Sequence, residues 1–106
     1  MEAAYRRLVR KLTTENLWIY VLRLLKDGPL YGYEVRKKIM ETFGFKPGMV
    51  TCYIVLHKLE GEGLIEAKEV KGTSLGPPRK YYVLTDKGRE ALEKAKIFLR
   101  GLYESL

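Results

Sequence analysis

The side chains able to do the strongest chemistry in this chain are few, and their spacing limits what they can do. There is one histidine, His57, and one cysteine, Cys52. A single thiol makes neither an internal disulfide nor a structural zinc site. The acidic pairs Glu60/Glu62 and Glu66/Glu69 come nearest to a catalytic pattern. Both lie in highly charged stretches, with no partner that would drive two pKa values apart, so they read as solvated surface. No HExxH, GxSxG, GxGxxG or Walker A pattern occurs. These residues argue against an enzyme and imply no metal and no cofactor.

The chemistry that remains is that of cations. Lys and Arg number 20 against 13 Asp and Glu, a formal net charge of +7 over 106 residues. Such an excess favours polyanions, nucleic acid above all, although solubility alone also benefits from it. The length suits one domain, or one domain with a short appendage. A hydrophobic share of 46% is that of a globular chain. No apolar run nears the ~18–20 residues that span a bilayer. The opening MEAAYRRLVRKL lacks the uninterrupted apolar core of a signal peptide. A soluble, cytoplasmic protein with no membrane partner is expected.

The elements that must position the cations follow from hydrophobic periodicity. Tyr5, Leu8, Val9 and Leu12 form one face of an amphipathic helix over 2–12, with Arg6, Arg7, Arg10 and Lys11 opposite. Thr13-Thr14-Glu15 reads as the cap of a second helix running to Asp27, which Gly28-Pro29 ends. A third helix over 31–43 places Tyr31, Val35, Ile39 and Phe43 four apart. After the turn at Gly44 and Lys46-Pro47-Gly48, a fourth helix covers 49–62. Its Cys52, Leu56 and Leu59 share one face, while Val50, Thr51, Ile54, His57 and Lys58 fall on the far side. From Leu64 the pattern is that of strands. LIEAKEVK and RKYYVL flank a Gly/Pro-rich loop and form a hairpin. Thr85-Asp86 caps a last helix, on which Leu92, Ala95, Leu99, Leu102 and Leu106 repeat at 3, 4, 3 and 4 residues as a short heptad seam.

Helices followed by a hairpin, with a tight Gly/Pro turn before the fourth helix, give the plan of a winged helix–turn–helix. The expected class is α+β, mostly α, with residues 1–85 as the DNA-binding domain and 86–106 as a C-terminal dimerisation helix. The fourth helix is then the recognition helix for double-stranded DNA, and the hairpin is the wing. "GPLYGYEV" at 28–35, "LEGEGLI" at 59–65 and "RKYYVLTDKGREAL" at 79–92 resemble, in order and spacing, the signature segments of the PadR family of transcriptional regulators. The likeness covers roughly residues 14–95. It implies a dimeric winged-helix repressor of the short subfamily, and several members sense small aromatic or amphipathic molecules through the dimer interface. Within Val50-Thr51-Cys52-Tyr53-Ile54, Thr51 and Tyr53 match the family pattern, whereas Val50 and Ile54 depart from it.

The expected DNA contacts are Thr51, Tyr53, Ile54, His57 and Lys58 on the recognition helix and Lys46 at its start. Tyr33 adds a phosphate-facing hydroxyl, and Lys71, Arg79 and Lys80 act on the wing. Cys52 has the phase of the core and is expected to pack there. The homodimer is expected to close over Leu92, Ala95, Phe98, Leu99, Leu102 and Leu106, against the first helices. An effector pocket would draw on Trp18, Phe98 and Tyr103. Two other classes compete. The winged helix could be a protein–protein module, which Lys58 and the basic wing disfavour. Helix 2–12 could be a membrane-surface anchor, which its short apolar face without Trp or Phe disfavours.

Overall fold

A computed structural model describes residues 2–70 and 79–106. Its elements are α1 (Ala3–Leu12), α2 (Leu17–Lys26), β1 (Leu30–Tyr31), α3 (Gly32–Phe43), α4 (Met49–Gly61), β2 (Ile65–Val70), β3 (Arg79–Leu84) and α5 (Asp86–Ser105). The sheet is antiparallel in the order β1-β3-β2. This is the winged-helix architecture, mostly helical with one small sheet. Lys71, expected on the wing, lies outside the described residues.

α2 is apolar nearly all round, and a helix of that kind must be enclosed. Leu17, Val21, Leu22, Leu24 and Leu25 are buried, and every later element adds to the shell around them. α3 gives Val35 and Ile39, and α4 gives Cys52, Leu56 and Leu59. The sheet gives Ile65 and Tyr82, and α5 gives Leu92. Each such large side chain contributes about 1.5–3 kcal/mol when removed from water.

Two local expectations change. α2 starts at Leu17, not at the Thr13–Glu15 cap, because those residues finish α1 instead. Thr13 Oγ1 donates to the Val9 carbonyl at 2.6 Å, and the Glu15 carboxylate turns back to Arg10 Nε and Lys11 Nζ at 2.7 and 2.9 Å. The two-residue strand β1 was not visible in the sequence, since two residues show no alternation. It exists through pairing, Leu30 with Tyr82 and Tyr31 with Tyr81, which makes β3 the central strand.

The hairpin is tied to the helices at one junction. Leu64 N–H donates to the Leu59 carbonyl at 3.0 Å, and Thr85 N–H donates to the Leu64 carbonyl at 3.2 Å. Gly63 takes the left-handed φ of +75° that this turn requires. Its carbonyl receives Thr85 Oγ1 at 2.7 Å, and the same hydroxyl caps α5 by accepting from Gly88 N–H at 3.0 Å. Gly88 is buried against this junction. A Cβ there would overlap the Leu64 carbonyl oxygen and lie 2.7 Å from Leu84 Cδ1. Gly88→Ala should therefore destabilise the fold by about 1–3 kcal/mol. On thermal unfolding followed by circular dichroism, that is a fall in Tm of roughly 5–15 °C. An unchanged Tm would contradict this packing.

Candidate nucleic-acid interface

The turn between α3 and α4 is held from several sides. Gly44 ends α3 with φ +79°, its N–H donating to the Met40 carbonyl at 3.1 Å. Arg36 Nε reaches across to the Pro47 carbonyl at 2.8 Å, and Pro47 itself is buried. Tyr20 meets Phe43 and Phe45 edge-on, at centroid distances of 4.9 and 5.0 Å. Arg36 holds the α3–α4 turn in place, a positioning role that sequence reasoning missed. Nothing in its spacing separates it from the neighbouring lysines.

With Cys52, Leu56 and Leu59 committed to the core, the other faces of α4 are set. Val50, Ile54 and His57 form the outermost stripe, Val50 being 72% exposed. Thr51, Val55, Lys58 and Glu62 form a lateral stripe on one flank. On the opposite flank Tyr53 faces the sheet side. A cleft of about 300 Å³ there brings together Tyr33, Tyr53, Arg79 and Lys80, with Tyr31 and Tyr82 behind them. Tyr33 stacks on Tyr31 at 5.5 Å, and Tyr31 meets Tyr81 edge-on at 6.2 Å. Close approach accounts for Gly32 at this point, because a Cβ there would stand 3.2 Å from Tyr53 Cε1.

Several cations of this side carry no carboxylate partner, and the same holds for Arg7, Lys38, Arg89, Lys94 and Arg100 elsewhere. Among the described residues Lys46, Lys58, Arg79 and Lys80 make no ion pair, whereas Arg10, Lys11, Arg23, Lys26, Lys37, Lys68 and Lys96 do. What sets this side apart is that Arg79 and Lys80 meet Tyr33 and Tyr53 in one cleft beside α4, since clustered basic residues are the electrostatic footprint of a phosphate-binding surface.

The sequence model of the PadR-like family of transcriptional regulators matches residues 21–94, which include the α3–turn–α4 unit and both wing strands. The chain belongs to that family. A PadR family regulator from Eggerthella lenta is 30% identical with a TM-score of 0.77, over 98% of this chain and 93% of its own. Bacillus subtilis PadR, whose structure is a complex with operator DNA, is 30% identical with a TM-score of 0.69, over 76% of this chain and 46% of its own. A 37.1 kDa protein in transposon TN4556 of Streptomyces fradiae is 34% identical over 83 residues, 78% of this chain. The match spans 23% of that curated relative's length.

The remaining expected residues of this PadR-like chain lie apart from α4. Leu92 is buried, Ala95 and Leu99 are half-buried, and Leu102 and Leu106 are exposed. Phe98 is 70% exposed. α1 buries none of its residues, so Tyr5, Leu8, Val9 and Leu12 also face outward. Trp18 and Phe98 line a common cavity of about 520 Å³ with Leu12, Ile19 and Leu99. Tyr103 is 82% exposed and stands outside its lining.

Cys52 packs into the core as expected. Burial pushes its thiol pKa up, against a smaller lowering by the Arg36 charge. Its neutral form is therefore favoured in the folded state. The stability this brings is complete below the ordinary thiol pKa and is lost as pH rises through the raised one. Cys52 should resist Ellman's reagent at neutral pH and react only after denaturant unfolds the chain. Prompt reaction of the native protein would show that α4 is not seated as described.

Proposed function

We propose that this protein is a homodimeric, sequence-specific DNA-binding repressor. α4 lies in the major groove, the wing and Lys46 hold phosphates, and a small molecule releases the complex. The observation that carries this reading is the cleft that sets Arg79 and Lys80 of the wing beside Tyr33 of α3 and Tyr53 of α4, with Lys58 exposed on the other flank of that helix. The likeness to B. subtilis PadR, which holds operator DNA, supports it. Residues 1–85 form the DNA-binding unit, and 86–106 the dimerisation helix. Val50, Ile54 and His57 meet base edges, and Thr51 and Lys58 reach the groove wall. Tyr33 and Tyr53 place hydroxyls beside Arg79 and Lys80, where a backbone phosphate fits. Lys71 extends the wing's charge.

A second reading has one observation in its favour. Met49, Val50 and Ile54 are exposed apolar side chains on α4, which would also suit a protein partner. Salt separates the two. With four cations per subunit, a dimer's log K for DNA should fall against log salt with a slope of about −7, at ~0.9 per phosphate. A nearly flat dependence would favour the protein partner. Arg79→Ala with Lys80→Ala should weaken all DNA sequences alike, since phosphate contacts position without specifying. Ile54→Ala should reorder the preference among sequences. The opposite pattern in a binding assay would reverse the assignment of helix and wing.

Dimerisation rests on apolar surface that one chain leaves uncovered. Leu102 and Leu106 continue the seam of Leu92, Ala95 and Leu99 past the end of the core, and the face of α1 is similarly bare. A two-fold partner covering both faces would bury several large side chains, each contributing about 1.5–3 kcal/mol before the cost of association. Leu102→Asp with Leu106→Asp touches residues exposed in the single chain, so the fold should persist. Sedimentation should show a monomer, and operator affinity should fall by about two orders of magnitude as the second half-site is lost. A variant that stays dimeric would move the interface to α1.

A further inference from the structure

The outermost stripe of α4 is apolar for most of its length. Val50 is 72% exposed and Ile54 49%, and the adjoining Met49 is 60% exposed. Val50 and Ile54 have no group that donates or accepts a hydrogen bond. His57 is the one member of the stripe that does. A helix face of this kind cannot select a partner by matching donors to acceptors along its length. It selects by apolar contact and shape.

The surroundings say what covers it. Arg79 and Lys80 share the cleft on one flank with Tyr33 and Tyr53, and no carboxylate lines that cleft. Lys58 is exposed on the other flank, and Lys46 comes just before the helix. The carboxylates of this region, Glu60 and Glu62, follow His57 at the C-terminal end. An occupant must therefore be anionic along both sides and apolar in the middle. The major groove of DNA has that layout where it holds thymine, with phosphates along its walls and the C5 methyl group on its floor.

The spacing fits as well. Val50 and Ile54 are one turn apart, ~6 Å along the axis. Base pairs stack every ~3.4 Å, so the two side chains meet pairs about two steps apart. His57 follows ~4.5 Å further on, where an imidazole N–H meets a purine N7 acceptor. At positions 50 and 54 this chain departs from the family pattern, so the preference follows from its own residues.

We propose that Val50 and Ile54 read thymine C5 methyl groups, and that each half-site carries thymines about two base pairs apart with a purine beyond them at His57. This rests on the DNA-binding reading above. A cytosine at either place offers no methyl, and it leaves its N4 amino group against a side chain that accepts nothing. An amino group desolvated without a partner costs affinity.

Thymine and deoxyuridine pair alike with adenine and differ by that methyl alone. The full-length protein first selects its best duplex from random DNA, and this duplex is then made with thymine or with deoxyuridine throughout. Wild-type affinity should be lower for the deoxyuridine duplex by tenfold or more, at about fourfold per methyl lost. In Val50→Ala with Ile54→Ala, both exposed positions, the ratio should fall to within about twofold of unity. Lys58→Ala should weaken both duplexes and keep the full ratio, since phosphate contacts do not specify. If the double variant binds too weakly to measure, Ile54→Ala decides alone, its ratio falling to about half on a logarithmic scale. Equal wild-type affinity for the two duplexes, a selected half-site without thymine, or a full ratio kept in these alanine variants would each overturn the proposal and leave the DNA-binding reading standing. A protein that binds no duplex at any salt would overturn both, and the apolar stripe would pass to a protein partner.

Discussion

Enclosing α2 is the constraint from which the other positions follow. Its sequence, LWIYVLRLLK, leaves only the narrow face of Arg23 and Lys26 to water, so helices and sheet must close around the rest. α4 can do so only by giving up the Cys52, Leu56 and Leu59 face. Helical geometry then leaves Val50, Ile54 and His57 pointing away, with Thr51 and Lys58 on one flank and Tyr53 on the other. The outward face of α4 is thus the consequence of what its inward face must cover. A change in the α2 core that rotated α4 by one residue would turn a different set of side chains outward.

The wing depends on the same core at one remove. Ile65 and Tyr82 anchor its base, and the hydrogen bonds joining Leu59, Leu64, Gly63 and Thr85 fix where both strands leave the helices. Arg79 and Lys80 stand at the far end of a strand whose near end is locked, so their distance from α4 is set by strand register. Gly88 lets α5 start against that lock. The direction of α5, and hence the place where its bare leucines present themselves, follows from the same few atoms.

Much of this was legible in the sequence. Periodicities of four in α3 and of 3 and 4 in α5, with Gly/Pro punctuation between elements, located the helices to within a few residues and separated the buried face of α4 from the exposed one. What escaped reading depended on partners distant in the chain. β1 is a strand only because β3 lies beside it. Thr13 and Glu15 carry the signature of a helix start, yet their side chains bind backward to Val9, Arg10 and Lys11. Arg36 acquires its role from a carbonyl eleven residues away. For the candidate interface, Lys46, Lys58, Arg79 and Lys80 were legible as cations. That Arg79 and Lys80 share one cleft with Tyr33 and Tyr53 is a property of three dimensions.

A two-fold dimer would turn one exposed helix face into a recognition surface with symmetry, because two α4 helices read two half-sites in opposite orientation. Selection of bound fragments from random DNA by the purified full-length protein tests this most directly. The account predicts an inverted repeat whose half-site centres lie about one helical turn apart, ~34–36 Å along the duplex. Recovery of fragments with no shared sequence, or of a motif without two-fold symmetry, would contradict it.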